Sequence, residues 1–477
     1  MICISKFKIF FIAISLVVGI FTGAYAQKKV QPNILLIITD QHQAEALSIA
    51  GNTDLKTPNL DRLAKSGMRF EKTYVSFPLC TPSRSSIFTG KMPHTLGVNS
   101  NEKGDDVMNP FEKELLLSKV LQQAGYDCAY AGKWHVPEPS MVAGNGFEMI
   151  APMGDIGLAE KSIDYLKSKK KSSKPFFLTV SFDNPHNICE WARNEPLPYG
   201  NIPEVHLNKT PQLPKNHLQE ASFPEVLKIE QEASKKIYPT ANYREEDWRQ
   251  YRYAYYKLIE KVDAEIGKIL NAIDDLNLRE NTLIIFTSDH GDGNASHGWN
   301  QKTALIEESI KVPFIASYNG KIKTNQVNAT LITNGLDLYP TIFEYANIAI
   351  PKQLNGKSLK PIFEIPNSTL ERDYIVVETK FEGKTAYGTS GRAVVGKRYK
   401  YVLYSWGKNR EQLFDLEKDP LEINNLAHLK SHLKTLDQYR LYLYEWCKST
   451  NDNSFLKKII LPSTSKLSSS LLFDKPY

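Results

Sequence analysis

The chain has 477 residues, of which 42% are hydrophobic and 23% are charged. This composition is typical of a folded globular protein, and it excludes a disordered chain, a collagen-like repeat and a polytopic membrane protein. The formal net charge is +6, and the 59 basic residues are spread along the whole chain. Because a nucleic-acid-binding surface requires a more concentrated basic patch, we predict no nucleic-acid partner.

Residues 1–26 have the features of a cleavable export signal. Lys6 and Lys8 precede an almost wholly apolar run at 9–20, and a small-residue cleavage sequence follows at 24–26. A run of this length is too short to be a permanent membrane span, so we predict no stable membrane insertion. The segment predicts a periplasmic or secreted protein.

Four cysteines follow that segment: Cys80, Cys128, Cys189 and Cys447. Four cysteines could form two disulfides in an exported protein, but a chain of this size does not need them for stability. Their spacing matches no zinc-binding pattern. We therefore expect buried or free thiols, and most clearly for Cys128, which lies in an apolar stretch.

Apolar strands alternate with helical segments through most of the chain. The predicted strands are 34–38, 126–131, 175–180 and 282–287, and the predicted helices are 60–64, 115–124 and 245–275. This alternation predicts an α/β fold with a large, mostly parallel central sheet flanked by helices on both faces. The region 190–243 has little periodicity, so we predict a surface insertion there, either shaping a substrate cleft or passive.

The pattern of apolar residues in the sequence changes at about residue 372. Short alternating runs that indicate antiparallel strands occur at 374–377, 392–395 and 399–403, and a predicted helix follows at 427–447. We therefore predict a catalytic domain at 27–371 and a smaller C-terminal α+β subdomain, containing an antiparallel sheet, at 372–477.

Four predicted strands are each followed within a few residues by unusual polar side chains. These are Asp40 with Gln41, Lys133 with His135, His186, and Asp289 with His290. Ligands of open α/β sheets bind beyond the carboxyl ends of the strands, so we expect these groups at one edge. The donors of Asp40, Gln41, Asp289 and His290 suit Ca²⁺, or alternatively Mg²⁺, better than zinc. The alternative is that an Asp at such a position caps the next helix.

Residues 79–84 combine a nucleophile with a cationic group. Cys80 stands where a helix could begin, because 83–89 has helical character and Gly90 would end it. The unpaired N–H groups of a helix N-terminus favour an anion. Arg84 adds a planar fork that matches a tetrahedral oxyanion. The local sequences of papain-like and caspase-like cysteine proteases are absent.

These motifs resemble those of type I, formylglycine-dependent sulfatases of the alkaline-phosphatase superfamily. The resembling stretches are 32–40, 78–90 with the core Cys80-x-Pro82-Ser83-Arg84, 132–135, 185–186, 288–291, Lys302 and a closing motif at 413–426. They span about residues 32–426 in the order typical of the family. The resemblance implies the sulfatase fold and the hydrolysis of sulfate esters.

The resemblance also implies a site chemistry. The thiol of Cys80 would be oxidised to formylglycine by a separate maturation enzyme, and its hydrate would attack sulfur and form a transient covalent sulfate. Cationic groups would offset the charge on the sulfate oxygens, and His135 or His186 would move protons. The implied catalytic residues are Cys80, Arg84, Lys133, His135, His186 and Lys302, and the implied cation ligands are Asp40, Gln41, Cys80, Asp289 and His290.

Two positions depart from the commonest sulfatase pattern. Many members carry Asp where this chain has Gln41, and Asn is common where it has His290. The pairs Asp40-Gln41 and Asp289-His290 also resemble those of phosphonate monoester hydrolases and phosphodiesterases of the same superfamily. Hydrolysis of a phosphonate or a phosphate ester is therefore the alternative reaction. A non-catalytic glycan-binding protein is a third hypothesis, but it would require broken motifs, and these are intact.

The export signal favours the breakdown of a sulfated polysaccharide over intracellular phosphonate metabolism. We therefore predict an exported sulfatase whose partner is a sulfated oligosaccharide or polysaccharide. Trp191, Arg193 and Trp299 are candidate sugar contacts, but we favour an ordinary packing or surface role for each of them.

Overall fold

A computed structural model describes the chain over residues 31–101, 116–137, 144–365, 367–381 and 388–466. The predicted export signal at 1–26 lies outside the described residues. The described residues from Gln31 onward form one compact unit that holds three sheets.

The described strands fall into sheets of eight, two and four. They are β1 Asn33–Asp40, β2 Met68–Phe70, β3 Thr73–Tyr74, β4 Asp127–Gly132, β5 Glu148–Ala151, β6 Phe176–Pro185, β7 Thr282–Ser288, β8 Phe314–Ser317, β9 Gln326–Asn328, β10 Ile332–Thr333, β11 Tyr374–Lys380, β12 Ser390–Gly396, β13 Tyr399–Tyr404 and β14 Glu411–Asp415. The central sheet has the order β5-β4-β6-β1-β7-β8-β2-β9, and only β8 runs antiparallel to its neighbours. The predicted α/β class with a mostly parallel sheet is confirmed.

Helices cover both faces of the central sheet. The described α-helices are α1 Pro58–Lys65, α2 Cys80–Thr89, α3 Pro93–Leu96, α4 Leu117–Gln123, α5 Leu158–Lys169, α6 Ile188–Ala192, α7 Glu225–Ala233, α8 Glu245–Asp275, α9 Glu307–Ile310, α10 Asn334–Tyr345, α11 Lys360–Glu364, α12 Leu433–Thr450 and α13 Asn453–Leu456. Alternation along β1 explains the two layers: Ile34, Leu36 and Ile38 pack with α2, α4 and α10, whereas Leu35 and Ile37 pack with α1, α5 and α8.

The longest helix, α8, has the bounds that the apolar spacing predicts. Its N-terminus is fixed by a capping box, in which the side chain of Asp247, at the third helical position, accepts from the backbone N–H of Arg244. The region 190–243 is more ordered than predicted, because it contains α7. Val226 and Leu227 of α7 are buried in the core beneath the C-terminal sheet, and this burial stabilises a helix too short to be stable alone.

The C-terminal part is the predicted antiparallel sheet, with the order β11-β12-β13-β14. Its strands extend a few residues beyond the predicted runs, and α12 begins at Leu433 rather than at 427. One face packs against α12, and the other shares a core with Tyr74 and Leu305 of the N-terminal part. The antiparallel sheet therefore packs directly against the segment that follows Lys302.

Candidate active site

The carboxyl ends of β1, β4, β6 and β7 lie side by side. Their register aligns Thr39 with Ser288, Asp40 with Pro185, and Gly132 with Ser181. The polar residues just beyond these positions therefore reach one edge of the sheet, where the sequence predicts them. The N-terminus of α2 brings Cys80 to the same place.

Cys80 is the first residue of α2 and is fully buried. Its Sγ lies 3.2 Å from His290 Nε2, 3.2 Å from Lys302 Nζ and 3.8 Å from Asp40 Oδ1. Burial alone raises the pKa of a thiol, but the positive charges of Lys302 and Lys133 outweigh it and hold the pKa well below its ordinary value. The position is therefore built for an anionic or electron-rich group.

Arg84 lies one helical turn after Cys80 and bridges the two buried carboxylates of the site. Its Nε donates to Asp289 Oδ2 at 2.7 Å, and its Nη2 donates to Asp40 Oδ2 at 3.1 Å. Its Nη1 donates at 2.7 Å to both the backbone oxygen of Lys133 and Ser181 Oγ. All three guanidinium nitrogens thus donate into one enclosed network, so Arg84 orients the carboxylates.

Lys133 contributes a second buried cation. Its Nζ lies 2.9 Å from Asp40 Oδ2 and 3.0 Å from Asp183 Oδ1. The sequence-based predictions do not include Asp183. Its position, two residues before Pro185, is a signal that could have identified it. Asp155 in turn accepts from the backbone N–H of Asp183 at 2.6 Å. No local motif marks Asp155.

Lys302 and His186 form a hydrogen-bonded pair beside Cys80, with 3.0 Å between Nζ and Nε2. Burial and the charges of Lys133 and Lys302 lower the pKa of His186, so its imidazole is neutral and accepts the hydrogen bond. The charge on the sulfur outweighs burial and raises the pKa of Lys302. His135 is exposed and has a left-handed backbone (φ 49°), and its side chain also forms a hydrogen bond with the thiol of Cys80.

Four side chains form a group that fits a cation: Asp40, Cys80, Asp289 and His290 are fully buried, with ligand atoms within 4.8 Å of one another. Burial raises the pKa of Asp289 to about 6 despite Arg84, whereas cationic neighbours outweigh burial and hold the pKa of Asp40 below its usual range. Two carboxylates at such short range require positive charge between them. The donor set suits a hard divalent cation, and the carboxylates would be its principal ligands.

The structure does not bring the side chain of Gln41 into this group. Its Nε2 donates to Asp292 Oδ2 at 2.7 Å, and its Oε1 lies 3.6 Å from the thiol of Cys189. Its backbone N–H donates to Asp289 Oδ1 at 3.2 Å instead. Gln41 has a left-handed backbone (φ 72°), and this turn separates its side chain from that of Asp40.

The region 190–243 supports the segment that carries Lys302. Tyr238 Oη lies 2.9 Å from Thr303 Oγ1, and Gln231 Nε2 donates to the backbone oxygen of Gly298 at 2.8 Å. His217 Nδ1 lies 2.7 Å from the backbone oxygen of Ala295. These contacts give the insertion a definite structural role beside the site.

The candidate sugar contacts are engaged elsewhere. Trp299 is completely buried and packs against Tyr238 and Phe381, so it has the ordinary packing role that the sequence analysis favours for it and is not a sugar contact. Trp191 packs edge-on against Tyr251, and Arg193 forms ion pairs with Glu190 and Glu195.

The thiols agree with a further expectation for the described residues. Cys80, Cys128, Cys189 and Cys447 are buried and free. Within the described ranges, no helix combines the length and the apolar character of a membrane span.

Comparison with known proteins agrees with this geometry. The sulfatase family profile matches residues 32–348, and the profile of the N-sulphoglucosamine sulphohydrolase C-terminal region matches residues 295–448. The chain is 30% identical to Delta 4,5-hexuronate-2-O-sulfatase of Bacteroides thetaiotaomicron, over 90% of this chain and 92% of that protein. It is 29% identical to an ulvan-active sulfatase of Formosa agariphila, over 83% and 77% of the two chains.

A solved structure of a 2-O GAG sulfatase is similar over most of its length. It superposes with a TM-score of 0.79 at 28% identity and covers 90% of this chain and 95% of its own. The eight-stranded sheet and the C-terminal antiparallel sheet are those of the alkaline-phosphatase-like sulfatase fold. The chain therefore belongs to the sulfatase family, and it is a sulfuric ester hydrolase.

Proposed function

We propose that this protein hydrolyses sulfate esters on oligosaccharides of a sulfated polysaccharide, with residue 80 as the nucleophile. The observation that carries the proposal is the position of Cys80, whose Sγ is 3.2 Å from Lys302 Nζ in a fully buried cluster that also holds Arg84 and Lys133. A tetrahedral anion suits such a concentration of cations. Relatives named for hexuronate 2-O-sulfate and for ulvan support a saccharide substrate.

We further propose that Cys80 is converted to formylglycine by a separate maturation enzyme. When hydrated, that aldehyde supplies a hydroxyl nucleophile in place of the sulfur. The buried, cation-rich position of Cys80 supports this, because the same groups that lower the pKa of the thiol would favour an ionised hydroxyl. Peptide mass analysis of protein from its native host tests the proposal: an aldehyde at residue 80 supports it, and an unaltered thiol contradicts it.

We propose Asp40, Asp289 and His290 as ligands of a divalent cation, Ca²⁺ or alternatively Mg²⁺, with residue 80 beside them. The cation would supply positive charge for the sulfate oxygens and for the nucleophile. Gln41 would act through its backbone N–H, which orients Asp289. The test is metal content: the Asp289→Asn variant should lose the ion that the wild-type protein retains, and equal content in both would contradict this ligand set.

The chain's own cations and histidines account for charge and proton movement. Arg84, Lys133 and Lys302 would offset the charge that develops on sulfate. Because Lys302 donates to the neutral imidazole of His186, the pair holds one mobile proton next to the reacting atoms. We propose that this proton passes to the oxygen of the leaving alcohol as the S–O bond breaks. The exposed His135 hydrogen-bonds the thiol of Cys80, so it would act beside the nucleophile.

A substrate panel tests the reaction class. The matured protein should release sulfate from defined sulfated oligosaccharides and should turn over an aryl sulfate faster than the matching aryl phosphodiester. Preferential phosphodiester turnover, with no sulfate released from any saccharide, would contradict the proposal and favour the phosphonate or phosphodiester alternative. Assaying Cys80→Ala alongside separates this enzyme's activity from that of contaminants.

We also propose export to the periplasm or beyond, supported by the charged, apolar and small-residue pattern of residues 1–26. N-terminal sequencing of protein recovered outside the cytoplasm should begin at Gln27. Recovery of the uncleaved chain in the cytoplasm alone would contradict this.

A further inference from the structure

Two tyrosines of α8 contact the turn that follows β1. Tyr251 and Tyr255 are four residues apart in the helix, so their side chains leave it on the same face. Both tyrosines are completely buried, and so is Gln41, the residue at the turn. Buried hydroxyl groups require hydrogen-bond partners within the protein, and both of these hydroxyl groups bond to the turn or to a residue that holds it.

Tyr255 bonds to the backbone of the turn at two points. Its hydroxyl donates to the backbone oxygen of Gln41 at 2.7 Å and accepts from the backbone N–H of Gln43 at 3.0 Å. Gln41 has a left-handed backbone (φ 72°), a conformation that residues other than glycine keep only where their surroundings stabilise it. The hydroxyl of Tyr255 supplies such support, because it bridges residues 41 and 43.

Tyr251 reaches the same turn through Asp292. Its hydroxyl lies 3.0 Å from both carboxylate oxygens of Asp292, which is completely buried. Asp292 Oδ2 accepts from Gln41 Nε2 at 2.7 Å, and Asp292 Oδ1 accepts from the backbone N–H of Asn294 at 2.7 Å. The side chain of Gln41 is therefore anchored by Tyr251 and Asp292, and its backbone is anchored by Tyr255.

The turn relates the two buried carboxylates of the site to each other. Asp40 directly precedes Gln41, and the backbone N–H of Gln41 donates to Asp289 Oδ1 at 3.2 Å. The backbone N–H of His290 donates to the same oxygen at 2.9 Å, whereas Arg84 donates to Oδ2. A shift of the Gln41 peptide would therefore remove one of the bonds that orient Asp289 and would displace Asp40 as well.

We propose that Tyr251 and Tyr255 are positioning residues for the divalent-cation site. This inference rests on the proposed function, because it takes Asp40 and Asp289 as ligands of the cation. The two tyrosines act through Gln41 and Asp292, and they hold the turn so that both carboxylates are oriented for the cation in advance. Removing a supporting contact of this kind typically weakens metal affinity by about 10- to 100-fold.

The cation affinity of the matured protein tests this role. The protein is stripped with a chelator and titrated in a calorimeter with Ca²⁺ and, in a parallel experiment, with Mg²⁺. Tyr255→Phe should raise the Kd of the bound cation by about 10-fold, and Tyr251→Phe should also raise it. The rise in Tm that the cation causes should be smaller in both variants than in the wild type, which gives a second readout without an activity assay.

Tyr126→Phe is the matched control, because it removes a similar bond at the other end of the same strand. Tyr126 is 1% exposed, and its hydroxyl donates at 2.9 Å to the backbone oxygen of Pro32, just before β1 begins. Tyr126→Phe should lose stability as the other two variants do, but it should keep the wild-type Kd for the cation.

The outcomes separate this inference from the proposed cation site. A wild-type Kd in either α8 variant, or an equal rise of the Kd in Tyr126→Phe, would overturn the inference and leave the cation site intact. A wild-type protein that binds neither cation would overturn both. Tyr251→Phe decides the question alone if Tyr255→Phe does not fold, because the two tyrosines hold different parts of Gln41.

Discussion

Lys302 Nζ lies 3.2 Å from Cys80 Sγ, although 222 residues separate the two in sequence. The lysine is held there by an irregular backbone, because its neighbours Gln301 (φ 65°) and Thr303 (φ 74°) both adopt the left-handed region. Each such residue costs about 1–3 kcal/mol, so the surroundings must stabilise the segment. Tyr238 contributes to this through its hydroxyl contact with Thr303.

Replacing Lys302 tests its electrostatic role. Lys302→Met should lower kcat by about 100- to 1,000-fold, because one preorganised charge next to the reacting group is lost. Lys268→Met, at an exposed lysine of α8, is the control and should leave kcat unchanged. Equal kcat values for the two variants, measured as sulfate release, would exclude a role for Lys302 in the reaction.

Replacing Arg84 tests the bridge between the buried carboxylates. Arg84→Lys cannot contact Asp40 and Asp289 in the same way, so it should destabilise the fold by about 3–5 kcal/mol in denaturant unfolding and abolish activity. Arg244→Lys, at an exposed arginine, should change stability by less than about 1 kcal/mol. A similar loss of stability in both variants would show that the Arg84 bridge contributes no more to folding than an exposed arginine does.

Tyr238→Phe tests whether the insertion positions Lys302. Loss of the hydroxyl should lower kcat by about 5- to 10-fold, corresponding to about 1 kcal/mol, with KM nearly unchanged. Tyr318→Phe, whose hydroxyl donates to Asn281 at 3.2 Å, is the matched control. A Tyr238 variant with wild-type kcat but reduced stability would show that this contact is only structural.

His94 gives the protein a defined pH dependence. Burial alone would lower its pKa, but hydrogen-bonded Glu378 outweighs burial and raises it above the ordinary value of about 6.5. The protonated pair therefore stabilises the fold fully below about pH 6.5, and this contribution is lost as the pH rises through the higher pKa of the folded state. The free energy of unfolding should fall more steeply with pH in the wild type than in His94→Gln. Parallel pH profiles would contradict this.

Much of the fold and of the site follows from local sequence patterns. Apolar runs such as that of β1 end in polar residues, and the geometry of a parallel sheet then forces those residues together. Asp40, Lys133, His186 and Asp289 could be predicted for this reason. Cys80 and Arg84 could be predicted because a helix start and a one-turn spacing are both visible in sequence.

The features that escaped prediction depend on tertiary contacts. Asp183 and Asp155 support Lys133 only because two distant segments meet, and no periodicity reveals that meeting. The side chain of Gln41 faces Asp292 because of a left-handed turn that no local pattern indicates. Helix α7 is stabilised by burial of its apolar face under the C-terminal sheet, which local propensity does not report.

The most direct test of the central claim is sulfate release from a defined sulfated oligosaccharide by the matured protein and by its Cys80→Ala variant. Cys128→Ala, at another buried thiol, is the matched control for the loss of one sulfur atom. The account predicts release by the wild type and by Cys128→Ala, and none by a folded Cys80→Ala. Wild-type release by Cys80→Ala would contradict it.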